Sequence, residues 1–201
     1  MGAEKRMGSE NNTIRLYSAQ DKGLVEKIRR EGQCFSQKAY IESKYGESAK
    51  IFLAAYSWLA AQAPKYVPRP EGAELHYWAF GDVTDIEQSS DTVVLALDVP
   101  ADECILFDLY DWNKILKLQY MGADESEERL FREQMRERGI KHDSDIMLTN
   151  FYPDLKREIE NSWQLLFRYH ERLIKGERPI ATVEGALWQI KNEWIKDVIN
   201  P

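Results

Sequence analysis

The segment Thr182-Val183-Glu184-Gly185-Ala186-Leu187-Trp188 sets one carboxylate in an otherwise apolar run. Side chains on a strand alternate between its two faces, so Glu184 shares a face with Ala186 and Trp188 while Val183 and Leu187 turn to the other. A carboxylate beside a small residue and an aromatic ring suits the wall of a cleft, where it would stabilise positive charge developing on a ligand or orient a hydroxyl. The alternative is a glutamate on an exposed sheet face, or one paired with a nearby Lys or Arg. The opening Ile14-Arg15-Leu16-Tyr17-Ser18-Ala19-Gln20 supplies further chemistry. Arg15 and Tyr17 fall on one face, Ser18 and Gln20 on the other. An arginine holds phosphate through two parallel hydrogen bonds, and a tyrosine stacks on a planar ring. His76 and Trp78 share a face in a third aromatic stretch and offer another wall.

Other chemistries lack their residues. There is no G-x-G-x-x-G, Walker loop, G-x-S-x-G or H-E-x-x-H. His76, His142 and His170 stand apart, so spacing predicts no metal. Cys34 and Cys104 form no C-x-x-C pair, and Cys104 in Cys104-Ile105-Leu106-Phe107 reads as a small packed hydrophobe. A carboxylate pair for sugar hydrolysis would require two acids facing each other across a cleft. The net charge of −7, from 27 Lys+Arg and 34 Asp+Glu, opposes broad nucleic-acid binding, which needs clustered cations. No apolar run reaches the roughly 20 residues of a membrane span, and MGAEKRMGSENN lacks the apolar core of a signal peptide. The expectation is a cytoplasmic protein.

The elements that must position these residues read as follows. A tail over 1–12 precedes a single globular domain over 13–201. Thr13 to Ala19 is a strand, and Asp21 caps a helix to Glu31 that ends at Gly32. Residues 33–46 read as a polar loop. Ile51, Phe52, Ala55, Trp58 and Leu59 have helical spacing, and Pro64, Pro68 and Pro70 stop that helix. Strands are expected over 74–80, 92–99 and 104–107, the second apolar on both faces and therefore covered on both sides. Asp108 caps a helix carrying Trp112 and Ile115. The charged segment Asp124 to Arg138 is helical with a narrow stripe of Leu130, Phe131 and Met135; it either packs or binds a protein partner. One long helix is expected within 151–174, ended by Gly176 and Pro179, then a last strand over 180–190 and a turn through 192–198. This order gives an α+β fold with a mixed, mostly antiparallel central sheet surrounded by helices.

Several blocks together resemble a known family. They are residues 14–20, Ala54-Ala55-Tyr56-Ser57-Trp58-Leu59, VVLALDVPADECILFDLYDWNKIL from Val93, Ser162-Trp163-Gln164 and ALWQIKNEWIKDV from Ala186. The chain resembles the bacterial family called domain of unknown function 3841 over residues 13–198, which implies one compact cytosolic domain and brings no assigned activity. More distantly, the order of pieces is similar to ADP-ribosyltransferase-like proteins, with an early aromatic strand and a late glutamate strand. That resemblance implies NAD as the nucleotide ligand, Glu184 as the catalytic residue on the nicotinamide ribose, and Arg15, Tyr17, Gln20 and Trp78 as the residues holding NAD. Ser18 stands where that pattern has His or Arg, and position 182 is Thr182 rather than Gln or Glu. The alternative reading is a non-catalytic protein- or ligand-binding module.

Overall fold

Three aspartates fix where helices begin. Asp21 ends the first strand, β1 (Thr13–Asp21), and accepts the Gly23 N–H at 2.7 Å to open α1 (Lys22–Glu31). Gly32 closes that helix in the left-handed conformation, at φ 83°, which glycine adopts without steric penalty. Asp108 accepts the Tyr110 N–H at the start of α4 (Leu109–Leu116). Asp124 accepts the N–H groups of Ser126 and Glu127, at 2.8 and 3.1 Å, at the start of α5 (Glu125–Glu137). The computed structural model describes residues 12–87, 89–177 and 180–200. The tail expected over 1–12 lies outside these except for Asn12, as does Pro179.

Between these helices come β2 (Gln33–Phe35), α2 (Lys38–Tyr45), α3 (Ala49–Gln62), β3 (Tyr77–Phe80), β4 (Thr92–Pro100) and β5 (Cys104–Asp108). After α5 follow α6 (Asp143–Met147), α7 (Pro153–Ser162), α8 (Arg168–Ile174), β6 (Val183–Leu187), β7 (Gln189–Lys191) and β8 (Ile195–Ile199). Six strands form one sheet in the order β5-β6-β3-β1-β4-β8, and its five pairings are all antiparallel. β2 and β7 make a separate two-stranded ribbon. The fold is α+β, as the order of elements implies.

Each face of the sheet has its own core. Leu16, Tyr77, Ala79, Leu95, Leu97, Leu106 and Leu187 face α1 and the ribbon. Ile105, Phe107 and Ala186 face the other helices, which contribute Tyr56, Leu59, Trp112, Trp163 and Phe167. Alternation in β4 puts Val93, Leu95, Leu97 and Val99 into the first core, and Val94 and Ala96 on the reverse face are buried too. β5 is an edge strand whose backbone is not left bare. The Leu106 N–H donates to Nδ1 of His170 on α8 at 3.3 Å. Burial lowers the His170 pKa and so favours the neutral ring that this bond requires.

Several expectations need correction. Residues 33–46 are not a plain loop, because Cys34 pairs with Ile190 and Lys38–Tyr45 is helical. The segment 151–174 is not one helix, because a tight turn of 3-10 helix over Trp163–Phe167 divides it. Trp163 is fully buried there and its indole donates to the Gln119 carbonyl at 2.7 Å. The last strand is split into β6 and β7, and the turn expected through 192–198 is one 3-10 turn followed by β8, paired with β4. In α5, Phe131 and Met135 are buried and Leu130 is 62% exposed, so the outer face left for a partner holds Leu130 alone from the stripe. Among the described residues, no helix is long and apolar enough to cross a membrane.

Candidate functional site

Glu184 is opposite Phe80 on one side and Phe107 on the other. Phe80 is in turn opposite Tyr17, and Tyr17 opposite Ala96. One row of side chains therefore crosses the sheet: Ala96, Tyr17, Phe80, Glu184, Phe107. Directly opposed residues in antiparallel strands share a face, so Tyr17 and Glu184 lie on the same side, two strands or about 10 Å apart. β1 and β6 are not hydrogen-bonded neighbours; β3 separates them. In the adjacent row, Ala186 sits between Trp78 and Ile105 and leaves its small side chain beside the carboxylate. Gly185 points to the reverse face, where a Cβ would come within 3.2 Å of Leu106 and 3.3 Å of Leu16. Its missing side chain lets that core close beneath the glutamate.

Helices complete the surroundings. α3 brings Tyr56, whose ring centroid is 5.1 Å from Trp78, and α4 brings Trp112, 4.8 Å from Trp78 and 5.7 Å from Phe107. Tyr56 and Trp112 lie 6.0 Å apart and nearly parallel. Glu184 is only 3% exposed, and no described group hydrogen-bonds its Oε2. Burial pushes its pKa from the usual 4.5 up to about 8, so the carboxyl is mostly protonated at neutral pH. The Tyr56 pKa is raised too, first by burial, then by Tyr45 and by the charge of Glu184, with the Trp78 indole acting in the opposite sense. A buried carboxyl oxygen without a partner is expensive and calls for an explanation. One displaced this far from its normal pKa is a functional candidate on physical grounds.

The residues expected from sequence to hold a nucleotide are only partly brought together. Tyr17 and Trp78 share the Glu184 face and are half-buried. Arg15 is on that face too, but its Nε donates to Asp98 at 2.6 Å, so a phosphate would have to displace that carboxylate. Gln20 points to the opposite face and donates to the Ser18 hydroxyl at 2.8 Å, which itself donates to the Trp78 carbonyl. Gln20 and Glu184 do not meet. Tyr56 and Trp112 were not singled out for the site by sequence; helical spacing marked Trp112 only as a packing residue, and each comes from a helix whose docking is tertiary. His76 does share its face with Trp78, at 6.3 Å between centroids, and packs on Trp188 with centroids 3.8 Å apart and the rings tilted by 32°. Its Nε2 is also unpartnered among the described residues, and burial lowers its pKa to about 3.

The remaining candidates are quieter. Cys104 is fully buried and burial pushes its thiol to about 12, which removes the reactive thiolate at neutral pH. No three described His, Cys, Asp or Glu residues stand close enough to hold a metal. A separate cleft of about 140 Å³ is lined by Lys114, Tyr120, Glu128, Arg132 and Asp143, among others. Its charges already engage one another, with Lys114 2.6 Å from Glu128.

The model of the family described as Domain of unknown function (DUF3841) matches residues 15–196. The chain belongs to this family. The match takes in β1 from Arg15 onward and all of β6, so both Tyr17 and Glu184 lie inside the DUF3841 region. Comparison with curated proteins finds no match, and comparison with solved structures finds none either.

Proposed function

We propose that this DUF3841 protein binds NAD at the Glu184 face and is an ADP-ribosyltransferase-like transferase or NAD glycohydrolase of the bacterial cytoplasm. The observation that carries the proposal is the buried carboxyl oxygen without a partner, framed by Trp78, Tyr56 and Trp112 in the same face as Tyr17. The rings would stack on the nicotinamide, and the carboxylate would hold a ribose hydroxyl beside the carbon where positive charge develops. The ribose–nicotinamide bond breaks with its electron pair passing to the ring nitrogen. The acceptor, water or a protein group, then forms the new bond to the ribose carbon and gives up its proton to the carboxylate.

Arg15 fits a phosphate role only if Asp98 yields, and Gln20, on the reverse face, supports the Trp78 strand through Ser18 rather than touching the nucleotide. Labelled NAD incubated with the protein and a lysate tests the proposal. Transfer or hydrolysis is expected, together with an NAD-dependent rise in melting temperature, and Glu184→Gln should lose the reaction while staying folded. Absence of transfer, of hydrolysis and of any thermal shift would refute it.

A further inference from the structure

The groups that face Glu184 are chemically one-sided. Phe80 and Phe107 oppose it in the sheet, Trp78 stands in the adjacent row, Tyr56 and Trp112 pack on Trp78, and Tyr17 lies two strands away on the same face. Of the described titratable groups, Tyr56 is electrostatically coupled to it, and no described Lys, Arg or His compensates its charge. Aromatic faces carry negative potential, so these rings repel an ionised carboxylate and attract a cation. A positive charge against the carboxyl oxygen would be favoured both by the rings and by the carboxylate. We propose that the Glu184 site recognises a flat organic cation, a pyridinium or a ring of similar shape and charge, and takes it up in exchange for the carboxyl proton. The inference rests on the reading that Glu184 faces a ligand, and it adds the charge that the ligand must carry.

The exchange balances simply. The cation enters with its full charge, the carboxyl releases one proton to solvent, and the neutral site becomes a neutral ion pair. A neutral ring of the same shape displaces no proton and leaves the carboxyl as it was. Tyr17, Trp78 and Phe80 are the half-buried members of this group, so the ligand approaches from their side. His76, just ahead of β3, is held neutral by burial and does not compete for the negative charge.

Calorimetric titration of the full chain with 1-methylnicotinamide, a permanent pyridinium, and with neutral nicotinamide tests this. Each is titrated at pH 6, 7, 8 and 9 in two buffers of different ionisation heat. The cation should bind with release of about one proton at pH 6–7, and its Kd should fall roughly tenfold per pH unit up to 8 and level off above it. Nicotinamide should bind at least about tenfold more weakly, with no proton released and no pH trend. Glu184→Gln should abolish both the preference and the proton release. Trp78→Leu should weaken the cation and preserve the release.

Equal binding of the two rings, binding without proton release, or no binding of the cation would overturn the proposal. If Glu184→Gln does not fold, the proton count on the unaltered protein decides alone. Binding of the cation with proton release, in a protein that neither transfers nor hydrolyses NAD, would remove the transferase reading and keep this one. An active NAD enzyme with no preference for the charged ring would do the reverse.

Discussion

Replacing Glu184 with Gln keeps the side-chain shape and removes its proton equilibrium. In the fold this carboxyl titrates at about 8, against 4.5 when solvated. Below pH 4.5 it is protonated whether the chain is folded or not, and it has no pH-linked effect on stability. Above 4.5 the unfolded chain releases the proton while the folded chain keeps it, so stability falls by about 1.4 kcal/mol per pH unit. The loss reaches about 3 kcal/mol at pH 7 and levels off near 5 kcal/mol above pH 8, where both states are ionised. In Glu184→Gln this loss is absent. The buried amide has its own unmet hydrogen bonds, but their cost does not change with pH. Urea denaturation of both proteins from pH 4.5 to 9 therefore gives two curves that diverge. The variant gains about 3 kcal/mol on the parent between pH 4.5 and 7, roughly 6–12 °C in melting temperature for a chain of this size. Curves that stay parallel within about 1 kcal/mol would mean that Glu184 finds a partner or water in solution, and the reasoning about its burial would fail.

His76 supplies the opposite limb. Its pKa falls from 6.5 to about 3 on folding, so stability is intact above 6.5 and drops as pH falls through the window toward 3. His76→Phe, which keeps a ring against Trp188, should remove roughly 2–3 kcal/mol of acid-side loss between pH 6.5 and 4.5, read from denaturation midpoints across that range. Between 4.5 and 6.5 the contributions of Glu184 and His76 run in opposite directions and largely cancel, so the single variants should tilt a nearly flat profile in opposite senses. Asp124→Ala removes the acceptor for two N–H groups at the start of α5 and should cost about 1 kcal/mol. Faster amide exchange confined to the first turn of that helix would confirm it, and unchanged exchange would refute it.

What could be read in the sequence was what neighbouring residues decide. Asp21, Asp108 and Asp124 open helices through bonds to N–H groups two or three positions ahead, and Gly32 closes one by its own conformation. β2 escaped because its three residues become a strand only by pairing with Gln189–Lys191, far along the chain. β8 escaped because Lys196 and Asp197 interrupt its apolar pattern, and its place is set by β4. The same division holds at the candidate site. Alternation alone put Glu184, Ala186 and Trp188 on one face and Val183 and Leu187 on the other, which is what the two cores show. Nothing local could say that Arg15 is opposite Asp98, or that α3 and α4 deliver Tyr56 and Trp112 to that face.

Comparison with the other deeply buried ionisable groups makes Glu184 the informative one. Burial raises the Cys104 thiol to about 12, but the neutral form is the ordinary form of a thiol at neutral pH, so burial there has no ionisation cost below about pH 9. His170 is neutral and useful, since its Nδ1 accepts the buried Leu106 N–H on the edge strand β5. Glu184 has neither excuse. A leucine at that position would free the fold of a pH-dependent cost of about 3 kcal/mol at pH 7, a large share of the roughly 5–15 kcal/mol that holds a domain together. The packed rings add to the cost by keeping Glu184 only 3% exposed, and its Oε2 accepts no described hydrogen bond. A structural role would be better served by an apolar side chain, and a purely polar role by one with partners. A buried acid that is costly by itself becomes favourable once a positive charge lies against it, which makes the Glu184 face, more than the charged cleft around Glu128 or the outer side of α5, the first place to test for a ligand.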